Sequence, residues 1–303
     1  MNDLDGDKKD KLIATPSKTI EIMKQHGIVM KKSLGQNFLV EPQILQHMIE
    51  VAEIDKNTVV IEIGPGIGAL TEFLARNAKE VFAFEIDQRF IKILEETLIS
   101  YDNITLIHQD ILQVDFSEER YQSLHQMDHL VVVANLPYYI TTPIIMHLIS
   151  SRLPFQSLVM MMQKEVAERL TAQVGTKAYS SLTVAIQLEM DSELAFIVPK
   201  SVFIPQPNVD SAVLKLSRRD EARVKVEDPE KFQTLVQICF KQRRKTLWNN
   251  LKNEFIHKGK LDENQLHQVL KQSGVDPKRR AETLSLEEYA KLYYNLKDIL
   301  NKV

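Results

Sequence analysis

The sequence predicts an α/β protein: a doubly wound, mostly parallel sheet with antiparallel strands at its end, followed by a small C-terminal all-α domain. Three observations indicate this fold. Short apolar runs alternate with amphipathic segments through the first half of the chain, which is typical of parallel strands covered by helices. A glycine-rich loop follows the first of these runs. Beyond about residue 228, strand-like runs stop and helical periodicity continues to Val303.

The N-terminal part precedes the sheet. We expect the first dozen residues to be disordered, and TPSKTIEIMKQHG to form a short helix with Ser17 as its N-cap and Gly27 just beyond its end. The stretch KKSLGQNFLV reads as an irregular link. Apolar residues at helical spacing from Ile44 to Ile54 predict the next helix.

The alternating region then supplies the sheet. SLTVAIQLEM, SELAFIVP and SAVLKLS follow one another too closely for crossover helices, so we expect antiparallel strands there. We predict domains at residues 1–29 (extension and short helix), 30–220 (catalytic) and 221–303 (helical). The five earlier strands are predicted at 58–63, 80–86, 103–110, 129–135 and 156–163, and the intervening helices at about 68–76, 87–100, 141–150 and 164–172.

Composition excludes several classes of protein. The chain has 303 residues, of which 44% are hydrophobic and 26% charged, as in ordinary globular proteins. Its one cysteine, Cys239, excludes an intramolecular disulfide framework and fits a reducing compartment. The sequence has no membrane-length apolar run and no signal-like N-terminus, so we expect a cytoplasmic protein. The histidines show no metal-ligand spacing, and no metal site is predicted.

The first chemical motif is IEIGPGIGAL, at residues 61–70 between a strand and a helix. Gly64 permits the tight turn there, and the loop satisfies both the dinucleotide pattern and the GxGxG pattern of S-adenosylmethionine enzymes. Glu85 ends the next strand and is placed to bind two ribose hydroxyls. Asp110 ends the third strand, where an acid suits an adenine amino group, and this favours S-adenosylmethionine over a dinucleotide.

The second motif is NLPYYI, at residues 135–140 at the end of the fourth strand. If the nucleophile is an exocyclic amine of a base, the Asn135 amide oxygen and the Leu136 carbonyl can accept its two N–H protons. The nitrogen would then turn towards tetrahedral geometry and aim its lone pair at a methyl group. Pro137 stiffens the turn, and Tyr138 offers a face on which the base can stack.

These motifs together resemble the rRNA adenine N6-dimethyltransferases, and the match to the bacterial small-subunit type is close. The resemblance covers residues from about 30 to 295. It implies a Rossmann-like, S-adenosylmethionine-dependent methyltransferase sheet and a cytoplasmic monomer that acts on 16S rRNA in a small ribosomal subunit or its precursor. The segments that carry it are QNFL (36–39), EIGPGIG (62–68), EID (85–87), QDIL (109–112), NLPYYITTP (135–143), FIPQPNVDS (203–211), FKQRRKTLWNNL (240–251) and RRAETLSLEEY (279–289).

The resemblance also implies roles for individual residues. Cofactor contacts are expected from Asn37, Leu39, Gly64, Glu85, Asp110 and Asn135. Asn135 and Leu136 would hold the target amine, and Phe203 would stack on the target adenine opposite Tyr138. The reaction implied is transfer of two methyl groups to each of two adjacent adenosines near the 3′ end of 16S rRNA.

A basic segment suggests where RNA binds. Residues 241–280 contain eleven Lys or Arg and four Asp or Glu, in a chain whose net charge is −3. The densest stretch is Lys241, Arg243, Arg244 and Lys245, which we predict to bind RNA phosphates, although a solvated helix face would look the same. Trp248 beside it fits either RNA contact or a hydrophobic cap.

Three other functions are weighed against this one. A large-subunit rRNA dimethyltransferase of the macrolide-resistance type would share the catalytic motifs, but RRKTL and RAETLS favour the small-subunit type. An NAD-dependent oxidoreductase needs an acid/base site that the sequence does not offer. A non-catalytic ribosome-assembly factor would not need the intact motif Asn135–Tyr138.

Overall fold

A computed structural model describes residues 12–28, 37–136 and 140–300. These residues divide into two compact units. The first comprises the residues up to Ala167 together with Glu193–Ser217, and the second comprises Glu168–Ser192 together with the residues from Arg218 onwards. The predicted domain boundaries at residues 29 and 220 stay a prediction, because compactness does not test whether a segment folds alone.

The elements are numbered in chain order. In the described ranges, four 3-10 segments, at Ile111–Gln113, Glu119–Gln126, Lys200–Val202 and Ala281–Thr283, and one π-helical turn at Lys252–Ile256 lie between them. The strands are β1 (Phe38–Leu39), β2 (Val59–Ile63), β3 (Glu80–Glu85), β4 (Ile104–His108), β5 (Leu130–Asn135), β6 (Ser157–Gln163), β7 (Met190–Val198), β8 (Phe203–Ile204) and β9 (Ser211–Arg218). The helices are α1 (Pro16–Gln25), α2 (Pro42–Val51), α3 (Ala69–Asn77), α4 (Gln88–Thr97), α5 (Thr141–Ser150), α6 (Lys164–Leu170), α7 (Ser181–Glu189), α8 (Pro229–Phe240), α9 (Leu247–Leu251), α10 (Glu263–Ser273) and α11 (Leu286–Leu300).

The central sheet has seven strands in the order β4-β3-β2-β5-β6-β9-β7. The pairs from β4 to β6 are parallel, and β9 runs antiparallel to β6. Strands β2 and β5 are almost wholly buried, as the apolar runs require. The chain leaves β2 for β3 on one side and returns to β5 on the other, so the strand order reverses between β2 and β5. In open α/β sheets, ligands bind at the carboxyl ends of the strands beside such a reversal.

The predicted fold class is therefore confirmed, and the five earlier strands were predicted within two residues at each end. One predicted strand is wrong: SLTVAIQLEM forms helix α7, not a strand. Ser180 caps this helix by accepting a hydrogen bond from the Thr183 amide, and the Thr183 side chain accepts from the Ser180 amide in return. Most of the α7 side chains are buried, so no polar face marked the segment as helical.

The N-terminal helix α1 packs against the core of the first unit through Ile22, and the segment just before it packs there through Ile13. The buried Glu72 carboxylate anchors it, because Oε2 accepts the Ile13 amide at 2.8 Å. The helix was predicted, but its cap was wrong. Thr15, not Ser17, accepts the hydrogen bond from the Lys18 amide, since Pro16 fixes the first helical position.

Two further predictions concern the N-terminal residues and the link after α1. The first eleven residues and most of the link after α1 lie outside the described residues, so the predicted disorder and irregular link are not tested there. Phe38 and Leu39 at the end of that link form strand β1, so the irregular prediction is wrong for these two residues.

The second unit has its own core. Residues of α7 to α11 enclose Cys239, Phe232 and Tyr289, all fully buried. No helix in the described ranges is long and apolar enough to span a membrane.

Candidate active site

A cavity of about 370 Å³ lies at the carboxyl ends of β2, β3 and β5. It brings together eight of the residues that the sequence predicted for cofactor binding and catalysis. The ninth, Tyr138, lies outside the described residues, as do its neighbours Pro137 and Tyr139. The eight lining residues are Asn37, Leu39, Gly64, Glu85, Asp110, Asn135, Leu136 and Phe203. Their individual roles stay predictions.

The glycine loop forms the floor of the cavity. Gly64 (φ 69°) and Gly66 (φ 58°) adopt left-handed backbone conformations that side-chain-bearing residues avoid. A Cβ at Gly64 would lie 3.3 Å from the Leu136 side chain, and one at Gly66 would lie 3.5 Å from the Phe38 ring. The two glycines therefore leave room for the Leu136 and Phe38 side chains to pack against the loop.

Glu85 lies beside this loop. The residue is 5% exposed, and its carboxylate accepts hydrogen bonds from the Gly66 amide at 3.2 Å and the Asp87 amide at 2.9 Å. Burial raises the pKa of Glu85, and the two amides partly oppose that shift. These bonds hold the carboxylate at the mouth of the glycine loop, at the position where it was expected to meet a ribose.

Asp110 lies at the next strand end. Its Oδ1 atom accepts the Leu112 amide at 3.0 Å and so caps the short 3-10 helix that follows. Gln109 beside it also lines the cavity and accepts a hydrogen bond from the Tyr121 hydroxyl at 3.0 Å. One oxygen of Asp110 thus fixes the local backbone, while the residue itself borders the cavity.

Two distant motifs meet through a short antiparallel pair. In this pair β1 lies beside β8, with Phe38 opposite Ile204 and Leu39 opposite Phe203. The Val40 amide extends the pairing by donating to the Val202 carbonyl at 2.9 Å. The pairing places Phe203, which is 4% exposed, at the cavity wall.

Asn135 and Leu136 complete the cavity at the end of β5. In the register of the sheet, Ala134 lies opposite Ile63, so Asn135, the last residue of β5, lies at the level of Gly64, which follows β2. Leu136 is buried and touches the glycine loop. The backbone carbonyl and amide side chain that were expected to hold the target amine therefore lie directly beside the loop.

Sequence reasoning missed Glu62. This residue is 1% exposed, lines the cavity, and has neither carboxylate oxygen in hydrogen-bond geometry with any of the described residues. Burial raises its pKa to about 8; the nearby Thr71 hydroxyl opposes this shift and the Glu85 charge adds to it. The sequence feature that could have identified Glu62 is the presence of a charged residue inside an apolar parallel strand.

The lining fits S-adenosylmethionine. A buried carboxylate without a partner costs free energy, so the Glu62 side chain favours a ligand that brings a cationic or N–H donor group. Glu85 and Asp110 border the same cavity and offer acceptors for hydroxyl and amino groups. No cluster with metal-binding potential is found among the described residues.

Comparison with known proteins shows what the chain is similar to. Residues 28–292 match the family model for ribosomal RNA adenine dimethylase. Ribosomal RNA small subunit methyltransferase A of Enterococcus faecalis is 55% identical over 93% of this chain and 95% of its own length. The protein of the same name from a Geobacillus species is 52% identical over 96% of this chain and all of its own length.

Two solved structures are also similar to this chain. A dimethyladenosine transferase from Plasmodium falciparum is 30% identical, with a TM-score of 0.71 over 86% of this chain and 98% of that one. The 23S rRNA methyltransferase ErmE is 27% identical, with a TM-score of 0.65 over 86% of this chain and 99% of that one. The predicted resemblance and fold are thereby confirmed. This family and its methyltransferase neighbours use S-adenosylmethionine as methyl donor, so the cofactor prediction is confirmed as well. The chain belongs to the ribosomal RNA adenine dimethylase family.

Proposed function

We propose that this protein transfers methyl groups from S-adenosylmethionine to the N6 amines of two adjacent adenosines near the 3′ end of 16S rRNA. Its substrate would be a small ribosomal subunit or a precursor of one, in the cytoplasm. The observation that carries the proposal is the position of Asn135 and Leu136, which end β5 beside the glycine loop and border the same cavity as Phe203. High identity to small-subunit methyltransferases over almost the whole chain supports the choice of substrate.

The chemistry assigned to these residues is orientation. S-adenosylmethionine supplies an electrophilic methyl group bound to a positively charged sulfur. The N6 amine of adenine is a weak nucleophile because its lone pair is delocalised into the ring. The Asn135 side-chain oxygen and the Leu136 carbonyl would each accept one N–H of that amine. The nitrogen would then turn towards tetrahedral geometry, with its lone pair directed at the methyl carbon.

No strong base is needed in this scheme. As the N–C bond formed, the methyl–sulfur bond would break and its electron pair would stay on sulfur as a neutral thioether. The nitrogen would then carry the positive charge, and its remaining protons would be acidic. One proton can be lost to solvent, while the Leu136 carbonyl accepts a hydrogen bond from the other. Phe203 supplies an aromatic wall for the adenine ring, and we assign the opposite face to Tyr138. After one proton is lost, the singly methylated amine still has one N–H, so a second transfer can follow.

Asn135→Ala is the direct test of the mechanism. Purified 30S subunits from cells lacking the modification would be incubated with the protein and labelled S-adenosylmethionine, and the modified adenosines mapped. We expect the variant to keep its fold and RNA binding and to lose most methyl transfer. Asn57→Ala, at an exposed asparagine of the same unit, is the matched control. Near-normal turnover by the Asn135 variant would overturn the mechanism.

The same assay separates the substrates. The structural likeness to a 23S rRNA methyltransferase makes large-subunit RNA the alternative, so purified 50S subunits are tested in parallel. Methylation of 30S subunits only supports the proposal, and methylation of 50S subunits only would replace it. Binding without methylation of either subunit would favour a non-catalytic assembly role.

A further inference from the structure

The only tryptophan of the chain forms a stacked pair in the second unit. The Trp248 ring, in α9, lies 4.1 Å from the His267 ring of α10, and the two planes are 21° apart. Trp248 is half-buried and packs against the core of that unit, whereas His267 is exposed. Lys252 Nζ lies 6.0 Å from the centre of the Trp248 ring. The pair therefore presents an aromatic surface to solvent beside a cation.

One basic turn lies next to this pair. The Trp248 amide donates to the Pro277 carbonyl at 3.1 Å, and the Leu247 amide donates to the Arg279 carbonyl at 2.7 Å. These bonds fix residues 276–280 beside the start of α9. Lys278 and Arg280 in this turn are exposed and form no ion pair with any residue in the described ranges.

Arg279, between those two cations, has a different role. Its guanidinium donates to both carboxylate oxygens of Glu288 and to the Thr283 side chain and carbonyl. It is therefore bound within the unit. The turn thus separates one structural arginine from two cations that are available to a partner.

A second basic turn directly precedes α9 in the chain. Residues 241–245 form the turn between α8 and α9, so the basic stretch is not a helix face. Arg243 donates to the Lys177 carbonyl, whereas Lys241, Arg244 and Lys245 are exposed and have no ion-pair partner among the residues that the structure describes.

The neighbouring carboxylates are already engaged. Glu263 lies 3.6 Å from Lys252, and Asp276 accepts the Lys278 amide at 2.8 Å. The first partly offsets the charge of Lys252 and the second caps a turn. The surface around the start of α9 therefore keeps a net positive charge.

We propose that Trp248 and His267 form a stacking site for an unpaired nucleobase of the RNA substrate, whose flanking phosphates bind the two basic turns. The inference rests on the proposed function, because that function makes RNA the substrate. Single-stranded nucleic acid is bound by cations that follow its backbone and aromatic rings that stack on its bases. His267 is exposed while it stacks on Trp248, so a base can reach the pair from solvent.

Binding of a single-stranded oligoadenylate, roughly twelve nucleotides long, tests the stacking site. His267→Ala is expected to weaken binding roughly 5- to 150-fold, the range that loss of one base–aromatic stack produces. His267→Phe, which keeps the aromatic face and removes the titratable nitrogen, is expected to restore near-wild-type affinity. His257→Ala, at an exposed histidine of the same unit that stacks on no ring, is the matched control and is expected to bind normally.

A matched oligomer without bases separates stacking from charge. It carries the same phosphates, so the wild-type protein and His267→Ala are expected to bind it equally. Fluorescence of Trp248 supplies a second readout, with a change expected on addition of oligoadenylate and none with the abasic oligomer. Thermal melts of each variant exclude unfolding as the cause.

Two results would overturn the inference. One is an equal loss of affinity for both oligomers, which would mean that His267 acts through charge or structure. The other is wild-type binding of oligoadenylate by a folded His267→Ala variant. Because this assay requires no methyl transfer, a protein that failed to methylate ribosomal subunits could still pass it. Failure of the proposed function is thereby distinguished from failure of the stacking site.

Discussion

Glu62 shows how much a single buried carboxyl can contribute to this site. It lies in the middle of β2 among aliphatic residues, and neither oxygen has a hydrogen-bond partner in the described part of the chain. A protein tolerates such a group when its function requires the group. In the cofactor-free protein the carboxyl stays protonated to about pH 8, whereas in the unfolded chain it ionises near its usual value of 4.5.

The stability of the cofactor-free protein should therefore depend on this residue and on pH. Between pH 4.5 and about 8 the unfolded state binds fewer protons than the folded state, so the free energy of unfolding falls as pH rises. Glu62→Gln removes this contribution. Thermal melts at pH 5 and pH 8 should show a smaller loss of stability in the variant than in the wild type. Glu50→Gln, at an exposed glutamate, should follow the wild type; parallel profiles for all three proteins would contradict the raised pKa.

Asp110 gives a second prediction at this scale. Asp110→Ala should weaken S-adenosylmethionine binding by about 1–3 kcal/mol, because a buried amino group of the ligand would lose its acceptor. Calorimetric titration measures this change. Asp115→Ala, at the exposed acid that caps the next turn, is the control and should leave the affinity unchanged. Equal affinities for the wild type and the Asp110 variant would remove Asp110 from the binding site.

Among the elements, the turn between α8 and α9 depends on one amide. Asn250 is 2% exposed; its Oδ1 accepts the Gln242 amide at 3.0 Å, and its Nδ2 donates to the Cys239 carbonyl at 2.8 Å and the Gln242 carbonyl at 3.3 Å. The side chain thus satisfies backbone groups at the end of α8 that have no helical partner. A buried asparagine holds the shape of the basic turn.

Replacing this asparagine should loosen the turn. Asn250→Ala is expected to lower the free energy of unfolding by about 2 kcal/mol, because buried backbone groups lose their partners. Urea denaturation measures the change. Asn249→Ala, at the exposed neighbour whose side chain bonds only Thr246 among the residues that the structure describes, should cost well under half as much. Equal free energies of unfolding for the two variants would show that the amide contacts of Asn250 do not stabilise the protein.

The elements also show what sequence could and could not predict. Parallel strands such as β2 and β5 were predicted because their apolar runs are short and bounded by glycine or asparagine. Helix α7 was missed because burial on nearly all sides removes the periodicity that distinguishes a helix from a strand. The pair β1–β8 could not be predicted from local pattern, since each strand has two residues and its partner lies in another part of the chain. For the same reason the lining residues were predicted singly, while their convergence on one cavity had to come from the fold.

At the scale of the whole molecule, the two compact units divide the proposed work. Every residue that lines the cavity belongs to the first unit, and the basic turns and the stacked pair belong to the second. Changes to charges in the second unit should therefore affect RNA binding and leave cofactor binding intact.

Replacing Lys241, Arg243, Arg244 and Lys245 together with Gln tests this division. We expect lower affinity for rRNA and a weaker dependence of that affinity on salt, because fewer counterions are released on binding. Affinity for S-adenosylmethionine should not change. Since Arg243 also bonds the Lys177 carbonyl, a thermal melt must accompany the titration. A normally folded variant with the wild-type salt slope would show that these residues are not the RNA surface.

The pairing of β1 with β8 has an energetic consequence. One strand belongs to the loop expected to bind the cofactor, and the other carries the ring expected to stack on the target base. The two strands share hydrogen bonds, so a ligand that immobilises one strand also partly orders the other. The second ligand then binds with a smaller loss of conformational entropy. Such coupling is reciprocal: the factor by which the bound methyl donor raises the affinity for RNA equals the factor by which bound RNA raises the affinity for the donor. When one ligand dissociates, the affinity of the protein for the remaining ligand therefore falls. The same coupling that favours binding of both reactants also favours their release together.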